Sequence, residues 1–423
     1  MIRTGKIAVC AAAGFLLVSC GRTSYPKDKV GEKLVGVCKQ EYNLDVQAQL
    51  VGTTLGVQVE IPGLIDELRK YAPSTLPDLP PVLIEGTYAQ QALDFRMFPR
   101  GSFTRAEKGK IRDEDDRPRE PSEPLKKLHR VSTAILRASL STDAPLEFYK
   151  LIARDPGPDR LDVVLSGHIL DSKRVQFYAI PVSELQRRNE ISLRHQPEEV
   201  ARATVASFLV DLRKRPLPQL LSRYTAPSKR FGELLPMVLA VTMEMKGDEG
   251  KLKPEQWPVR QISADAVLVD VPLKPIGGSG EFLFTVHLEE SGGTLVSIER
   301  LEDSKLPKEF RYLGPPEKWS RSFYLEPISL PQFVTDQIAK RAMGEFKTLD
   351  PERKKSAAER PATVEEVTRA VVGAAAYVTD SYSFKNFKQI TVLDAVKGTR
   401  WAIPAAQLPL YRRRGSPDLK PIP

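Results

Sequence analysis

Of the three cysteines in this chain, at positions 10, 20 and 38, only one is left for the folded body, so no internal disulfide can staple it. Arg3 and Lys6 form a basic start and Ile7 to Val18 an apolar run, the pattern of an export signal, and Cys10 lies within it. The run is about half the ~20 residues that span a bilayer, so a removable signal is the better reading than a permanent membrane helix. Export leads to an oxidising compartment, where small domains are often cross-linked. This one must be held by its hydrophobic core, and a lone Cys38 is expected to be a small buried hydrophobe within it.

The signal ends in Leu17-Val18-Ser19-Cys20 followed by Gly21. Small residues before a cysteine give a processing peptidase access to the backbone, and the thiol can carry a diacylglycerol. These residues resemble the lipobox of bacterial lipoproteins. The resemblance implies cleavage after Ser19, lipid on Cys20 and a membrane partner reached through that lipid. Acyl chains anchor at ~0.8 kcal/mol per buried CH₂. Gly21 lacks the acidic character that retains such proteins at the inner membrane in the enterobacterial pattern. The implied address is therefore the cell envelope and, in a Gram-negative organism that follows this pattern, the outer membrane facing the periplasm.

Apolar residues make up 41% of the chain and charged residues 28%, which describes a folded body with charged surfaces. The formal charge is +9; removing residues 1–19 takes away Arg3 and Lys6 and leaves +7. That balance suits anionic partners such as headgroups, cell-wall polymers or acidic proteins. Nucleic acid is not expected as a partner of a tethered envelope protein.

Along the chain, residues 1–19 read as signal, 20–35 as a lipidated polar tether and 36–98 as a β-rich segment. In that segment Leu44 to Ile61 form two strands, and one further strand runs from Val82 to Phe98. Residues 99–125, dense in mixed charge and proline, read as a charged linker or exposed loop. A helix-plus-hairpin unit covers 126–195, with a helix from Leu125 to Leu140 and strands at Phe148–Ala153, Leu161–Leu165 and Val175–Ile180. A second such unit covers 330–411, where Thr363-Val364-Glu365-Glu366 makes a capping box; 412–423 is a loose tail. Strand endings at Ile61-Pro62, Ile180-Pro181 and Ile403-Pro404, and helices ending in Thr142-Asp143 and Thr379-Asp380, point to an internal repeat.

The clearest unit spans 196–301. Val200, Ala201, Val205, Phe208, Leu209 and Leu212 trace an amphipathic stripe, and Pro197-Glu198-Glu199 suits a first turn with carboxylates at the positive dipole end. Strands at Ala264–Leu273, Glu281–Leu288 and Thr294–Leu301 follow, with Ser291-Gly292-Gly293 as a hairpin turn. Helices followed by a curled antiparallel sheet resemble the cystatin-like and nuclear-transport-factor-like α+β roll. The fold class expected for the whole chain is α+β.

Catalytic signatures are missing from the sequence. Gly277-Gly278-Ser279-Gly280 runs into Glu281 and fails as a nucleophile elbow. His129, His168, His195 and His287 are scattered, no Cys-x-x-Cys or His-Glu-x-x-His occurs, and no phosphate-cradling loop is present, so no metal site and no cofactor is expected. Asp113 to Asp116 read as a solvated charge run. The expectation is a non-catalytic, lipid-anchored adaptor for an envelope protein, with Trp257, Phe282 and Phe284 on the concave side of the roll as its binding surface. The alternative is a carrier of a small molecule or lipid, or an enzyme, using a pocket in the same roll. Oligomeric state is left open.

Overall fold

The computed structural model describes residues 25–71, 81–100, 103–105, 121–142, 144–216, 219–220, 224, 229–244, 253–273, 281–289, 292–301, 305–319, 323–348 and 362–409. The signal, Cys20, Asp113–Asp116, Gly277–Gly280, and the tail at 412–423 lie outside them. In chain order the elements are α1 (Val30–Tyr42), β1 (Val46–Val51), β2 (Thr54–Glu60), α2 (Leu64–Tyr71), β3 (Val82–Ala89), β4 (Ala92–Pro99) and β5 (Phe103–Arg105). Then come α3 (Glu123–Leu140), β6 (Phe148–Arg154), β7 (Leu161–His168), α4 (Ile169–Gln176), α5 (Val182–Arg188) and β8 (Glu190–His195). The next stretch holds α6 (Pro197–Lys214), α7 (Lys229–Glu244), β9 (Val259–Gln261), β10 (Ala266–Val271), β11 (Glu281–Glu289) and β12 (Gly292–Leu301). Last are α8 (Leu330–Met343), β13 (Phe346–Thr348), α9 (Val364–Ser381), β14 (Gln389–Asp394) and β15 (Arg400–Pro404). The class is α+β. Two units form, Met1–Leu68 with Pro121–Pro327, and Arg69–Glu120 with Ile328–Pro423. The division falls inside the segment 36–98 that reads as one piece in sequence.

Unit one opens with a sheet of order β1-β2-β6-β7-β8. Its β2 and β6 are parallel, with Val57 opposite Leu151, while the remaining pairs are antiparallel. A parallel pair needs a long crossover, and α3 lies within it. Leu55, Val57, Val59, Leu151, Ala153 and Val163 share one core with helices α1 and α3. Val30, Leu34 and Cys38, one helical face of α1, are fully buried there. Residues 30–35 are thus the first turns of a packed helix, correcting the tether expected to reach residue 35. Apolar burial outweighed the lysines that made this stretch look solvated. Asn43, in the left-handed region at φ 53°, ends the helix.

Burial pushes the Cys38 thiol up to about 11, with a smaller contribution from the charge of Glu41. The thiolate is the reacting species. An aromatic disulfide reagent at pH 8 is therefore expected to leave Cys38 unmodified in the native protein and to modify it fully in denaturant. Rapid native labelling would contradict its placement in this core.

The strand expected at Val175–Ile180 does not form. The His168 side chain accepts a hydrogen bond from the Leu170 amide (3.0 Å) and caps α4, which runs to Gln176. Asp171, fully buried, ties α4 to Arg188 of α5 at 2.7 Å. These polar restraints override local β propensity. The fifth strand, β8, alternates polar and apolar residues from Glu190 to Arg194 and was not expected from the sequence.

The second body of unit one is the roll: α6 and α7 against an antiparallel sheet of order β12-β11-β10-β9. Its core joins Phe208 and Leu209 of α6 to Val267, Val269, Phe282, Phe284 and Ile298. The Phe208 and Phe284 rings meet edge to face at 6.2 Å. Phe282, Phe284 and Trp257 are 0%, 0% and 3% exposed, so the concave face proposed as a binding surface is filled core. The opposite face of β11 is covered too, since Leu283 joins Leu268, Leu301 and Leu306 in a smaller cluster. His287 lies on that opposite face, half-exposed beside Asp265 at 3.4 Å. Gly292 and Gly293 belong to β12, opposite Glu289 and Leu288, not to the turn. A Cβ on Gly293 would come within 2.7 Å of Thr204 Oγ1, so the close approach of α6 requires glycine there.

Unit two holds a sheet of order β15-β14-β4-β3, in which β4 and β14 are parallel, Leu93 opposite Ile390. Val82 to Phe98 is two strands, not one. The chain reverses at Gln90 and Gln91, both with positive φ (50° and 60°), the geometry of a tight hairpin turn without its usual Asn or Gly. Thr363 Oγ1 accepts from the Glu366 amide and the Glu366 carboxylate accepts from the Thr363 amide, closing the capping box of α9. The repeated motif is a helix leading into a hairpin: α3-β6-β7 and α9-β14-β15. Each sets its first strand parallel to the second strand of an earlier hairpin. The copy read at Val175–Ile180 is displaced to 148–168.

Candidate functional site

Three adjacent strands build a charged ladder at one end of the first sheet. Arg154 of β6 stands opposite Asp162 of β7, and Asp162 stands opposite Arg194 of β8. Cross-strand neighbours of opposite charge attract. Arg154 Nε lies 3.3 Å from Asp162 Oδ1, and Arg194 Nη2 lies 3.7 Å from Asp162 Oδ2. The chain then enters α6, whose first turn brings Glu198 Oε1 to 2.9 Å from Arg154 Nη1. Pro197 at the helix start tolerates the missing donor, and Glu198 sits where the helix dipole favours a carboxylate.

These groups are deeply placed. The side chains of Arg154, Asp162 and Glu198 are 3%, 0% and 11% exposed. Burial works against the charge on Arg154, yet Glu198 and Asp162 hold its pKa above that of a free guanidinium. Burial raises the pKa of Asp162, and the pull of Arg154 and Arg194 only partly opposes it. Both Asp162 oxygens, Arg154 Nε and Glu198 Oε2 have no hydrogen-bond partner among the described residues. Ion pairing without hydrogen-bond geometry compensates atoms at such depth only in part.

The loop between β6 and β7 is tied down by its own chemistry. The Asp155 carboxylate accepts from the amides of Gly63 (3.2 Å), Ile65 (2.8 Å) and Gly157 (2.9 Å). The Gln196 side chain donates to the Asp155 carbonyl at 3.0 Å, and the Gln196 amide to that of Arg160 at 3.0 Å. Arg160 itself is left-handed at φ 47°, a conformation that costs energy for a residue with a Cβ. Its guanidinium has no hydrogen-bond or ion-pair partner among the described residues.

From the roll, Arg202 donates to the Trp257 carbonyl (3.2 Å) and to Glu199 (2.6 Å). Arg154, Arg160, Glu198, Arg202, Trp257 and Trp319 are among the walls of a cleft of about 400 Å³. Asp162 stands behind Arg154, outside that wall. Arg160 also borders a shallower depression of about 610 Å³ with His195, Glu199 and Thr204. A third, more apolar groove of about 290 Å³ runs between α3 and the α4–α5 pair.

Of the residues singled out in the sequence, Trp257 reaches the cleft, whereas Phe282 and Phe284 do not. Leu17, Val18, Ser19 and Cys20 lie outside the described residues. Arg154, Asp162, Arg194 and Arg160 were missed. For Arg154 and Asp162 the one signal is charge within largely apolar strands, which gains meaning only once β6 and β7 are paired; Arg160 in the loop and Arg194 in the mostly polar β8 carry none. Among the described residues, no three His, Cys, Asp or Glu side chains converge as a metal site. No described helix is long and apolar enough to cross a membrane. Comparison with family models, curated proteins and solved structures finds no match.

Proposed function

We propose that this chain is a non-catalytic binding module of the bacterial envelope, tethered through lipid on Cys20, whose charged cleft receives a segment of a protein partner. The observation that carries the reading is the pairing pattern of the arginines. Arg154 is held by Asp162 and Glu198 as a preset donor, Arg202 is occupied by Glu199 and Trp257, and Arg160 is left over. Fixed charges of both signs beside two indoles suit a peptide carrying both charge types better than a phosphate polymer, which calls for a single sign. The filled roll favours an adaptor over a small-molecule or lipid carrier, or an enzyme, working from a pocket inside the roll. The lipobox residues support the envelope address, and the basic balance suits an anionic partner.

The test is capture from detergent-solubilised cells by tagged wild type, Arg160→Glu and Cys20→Ala, followed by binding with the purified partner. One stoichiometric envelope protein is expected from wild type. Arg160→Glu is expected to weaken its binding at least tenfold, or about 1.4 kcal/mol. Cys20→Ala is expected to lose the acyl mass and leave the membrane fraction. Equal binding by Arg160→Glu, or no partner from wild type, would overturn the assignment.

A further inference from the structure

We propose that β8 is a self-complementary edge through which two copies of this chain join into one continuous antiparallel sheet. β8 ends the first sheet, and all six of its residues, Glu190 to His195, are exposed. It contains neither proline nor a bulge, two of the usual protections of a free edge. Ile191 and Leu193 are 65% and 58% exposed, an unusual load of apolar surface for an edge strand.

The hydrogen bonds determine which backbone groups are free. The Gln196 amide donates to Arg160 and His195 stands opposite Leu161, so the antiparallel alternation turns residues 190, 192 and 194 toward β7. The amides and carbonyls of Ile191, Leu193 and His195 point outward. A second β8 can bond only in registers that match outward groups with outward groups, and a one-residue slip fails.

Among the allowed registers, one satisfies the side chains as well. With the twofold axis at Ser192, Ile191 faces the partner's Leu193 and Glu190 faces the partner's Arg194, each twice. Ile191 and Leu193 lie on the face shared with Leu165 and Val163, and Glu190 and Arg194 on the face of Asp162. Apolar pairs therefore occupy one face and opposite charges the other. Moving the axis to Leu193 sets Ile191 against the partner's His195 and Arg194 against the partner's Ser192. Moving it to Ile191 sets Glu190 against the partner's Ser192. Both forfeit the ion pairs. The apolar groove beside the strand, with Leu165, Val182 and Leu185 in its walls, extends the surface a second copy would cover.

Such an isologous contact is testable by register. At the proposed axis Ser192 meets its own counterpart in a non-hydrogen-bonded pair, with Cα atoms ~4.5 Å apart, within disulfide reach. The full mature protein in detergent is examined by sedimentation equilibrium to about 100 µM, where a single-strand contact of modest area is expected to associate. Wild type is expected to show a monomer–dimer equilibrium, weakened at least tenfold in Ile191→Lys and in Glu190→Arg with unchanged circular dichroism. Ser192→Cys is expected to cross-link as a dimer under mild oxidation at least tenfold faster than Leu193→Cys. A monomer throughout, a dimer indifferent to Ile191→Lys, or preferential cross-linking of Leu193→Cys would each overturn the proposal.

Discussion

Replacing Arg154 with Met is expected to destabilise unit one by about 3–5 kcal/mol, the usual cost of removing one partner from a buried ion cluster. Met preserves much of the length and apolar stem, so the loss reports charge more than volume. Asp162 and Glu198 would then lose the cation they share, with the half-exposed Arg194 left beside Asp162. The effect carries a pH signature. Burial already raises the Asp162 pKa, and removing Arg154 takes away the strongest opposing pull and raises it further. A carboxyl whose folded pKa lies above its unfolded value binds its proton more tightly in the folded state. Its contribution is fully present below the unfolded value near ~3.9 and is lost as pH rises through the folded value. The deficit of Arg154→Met in urea titrations should therefore be larger at pH 8 than at pH 5. A deficit of equal size at both would mean that packing, not an uncompensated carboxylate, accounts for the loss. Arg154→Met combined with Asp162→Leu and Glu198→Leu is expected to recover much of the stability, because an apolar cluster pays no desolvation cost.

The same cluster shows where sequence reading reaches and where it stops. Periodicity along a single element is local information, so the α6 stripe from Val200 to Leu212 and the Thr363–Glu366 capping box are visible before any fold is known. Alternation likewise marks Val57, Val59 and Ile61. Strand order is not local. The parallel pairings of Val57 with Leu151 and of Leu93 with Ile390 join distant hairpins, and nothing at either position names its partner. The Gln90-Gln91 reversal lacks the residues that usually announce a tight turn, so two strands read as one. At the cleft, Arg154 and Asp162 face each other because the loop between them is gathered by Asp155 and kept short by the left-handed Arg160. Those restraints come from Gly63, Ile65 and Gln196, which belong to other elements. Burial of β11 on both faces was hidden for a similar reason. Its second cover is the segment beyond β12 around Leu306, which looks like a connection when read alone.

Phe284→Ala is expected to destabilise the roll by about 3–5 kcal/mol, the cost of a large cavity in a packed core. Phe284 stands between Val269 and Ile298 on neighbouring strands, with Phe208 of α6 closing over it. None of these neighbours is a flexible surface chain that could fold into the void. Phe284→Leu, which keeps most of the volume, is expected to recover more than half of the loss. A docking residue would behave in the opposite way: exposed truncations usually change stability by less than about 0.5 kcal/mol while weakening the partner. Thermal or urea melts of the full chain therefore separate the two roles that an aromatic on this face could have. On the proposed function Trp257 would take both roles, because it is buried, lines the cleft and accepts from Arg202 through its carbonyl. Its replacement by Ala should lower stability and partner affinity together. Phe284→Ala, assayed below its melting transition, should lower stability alone. A Phe284→Ala protein that melts like wild type but loses the partner would return the binding surface to the concave face of the roll.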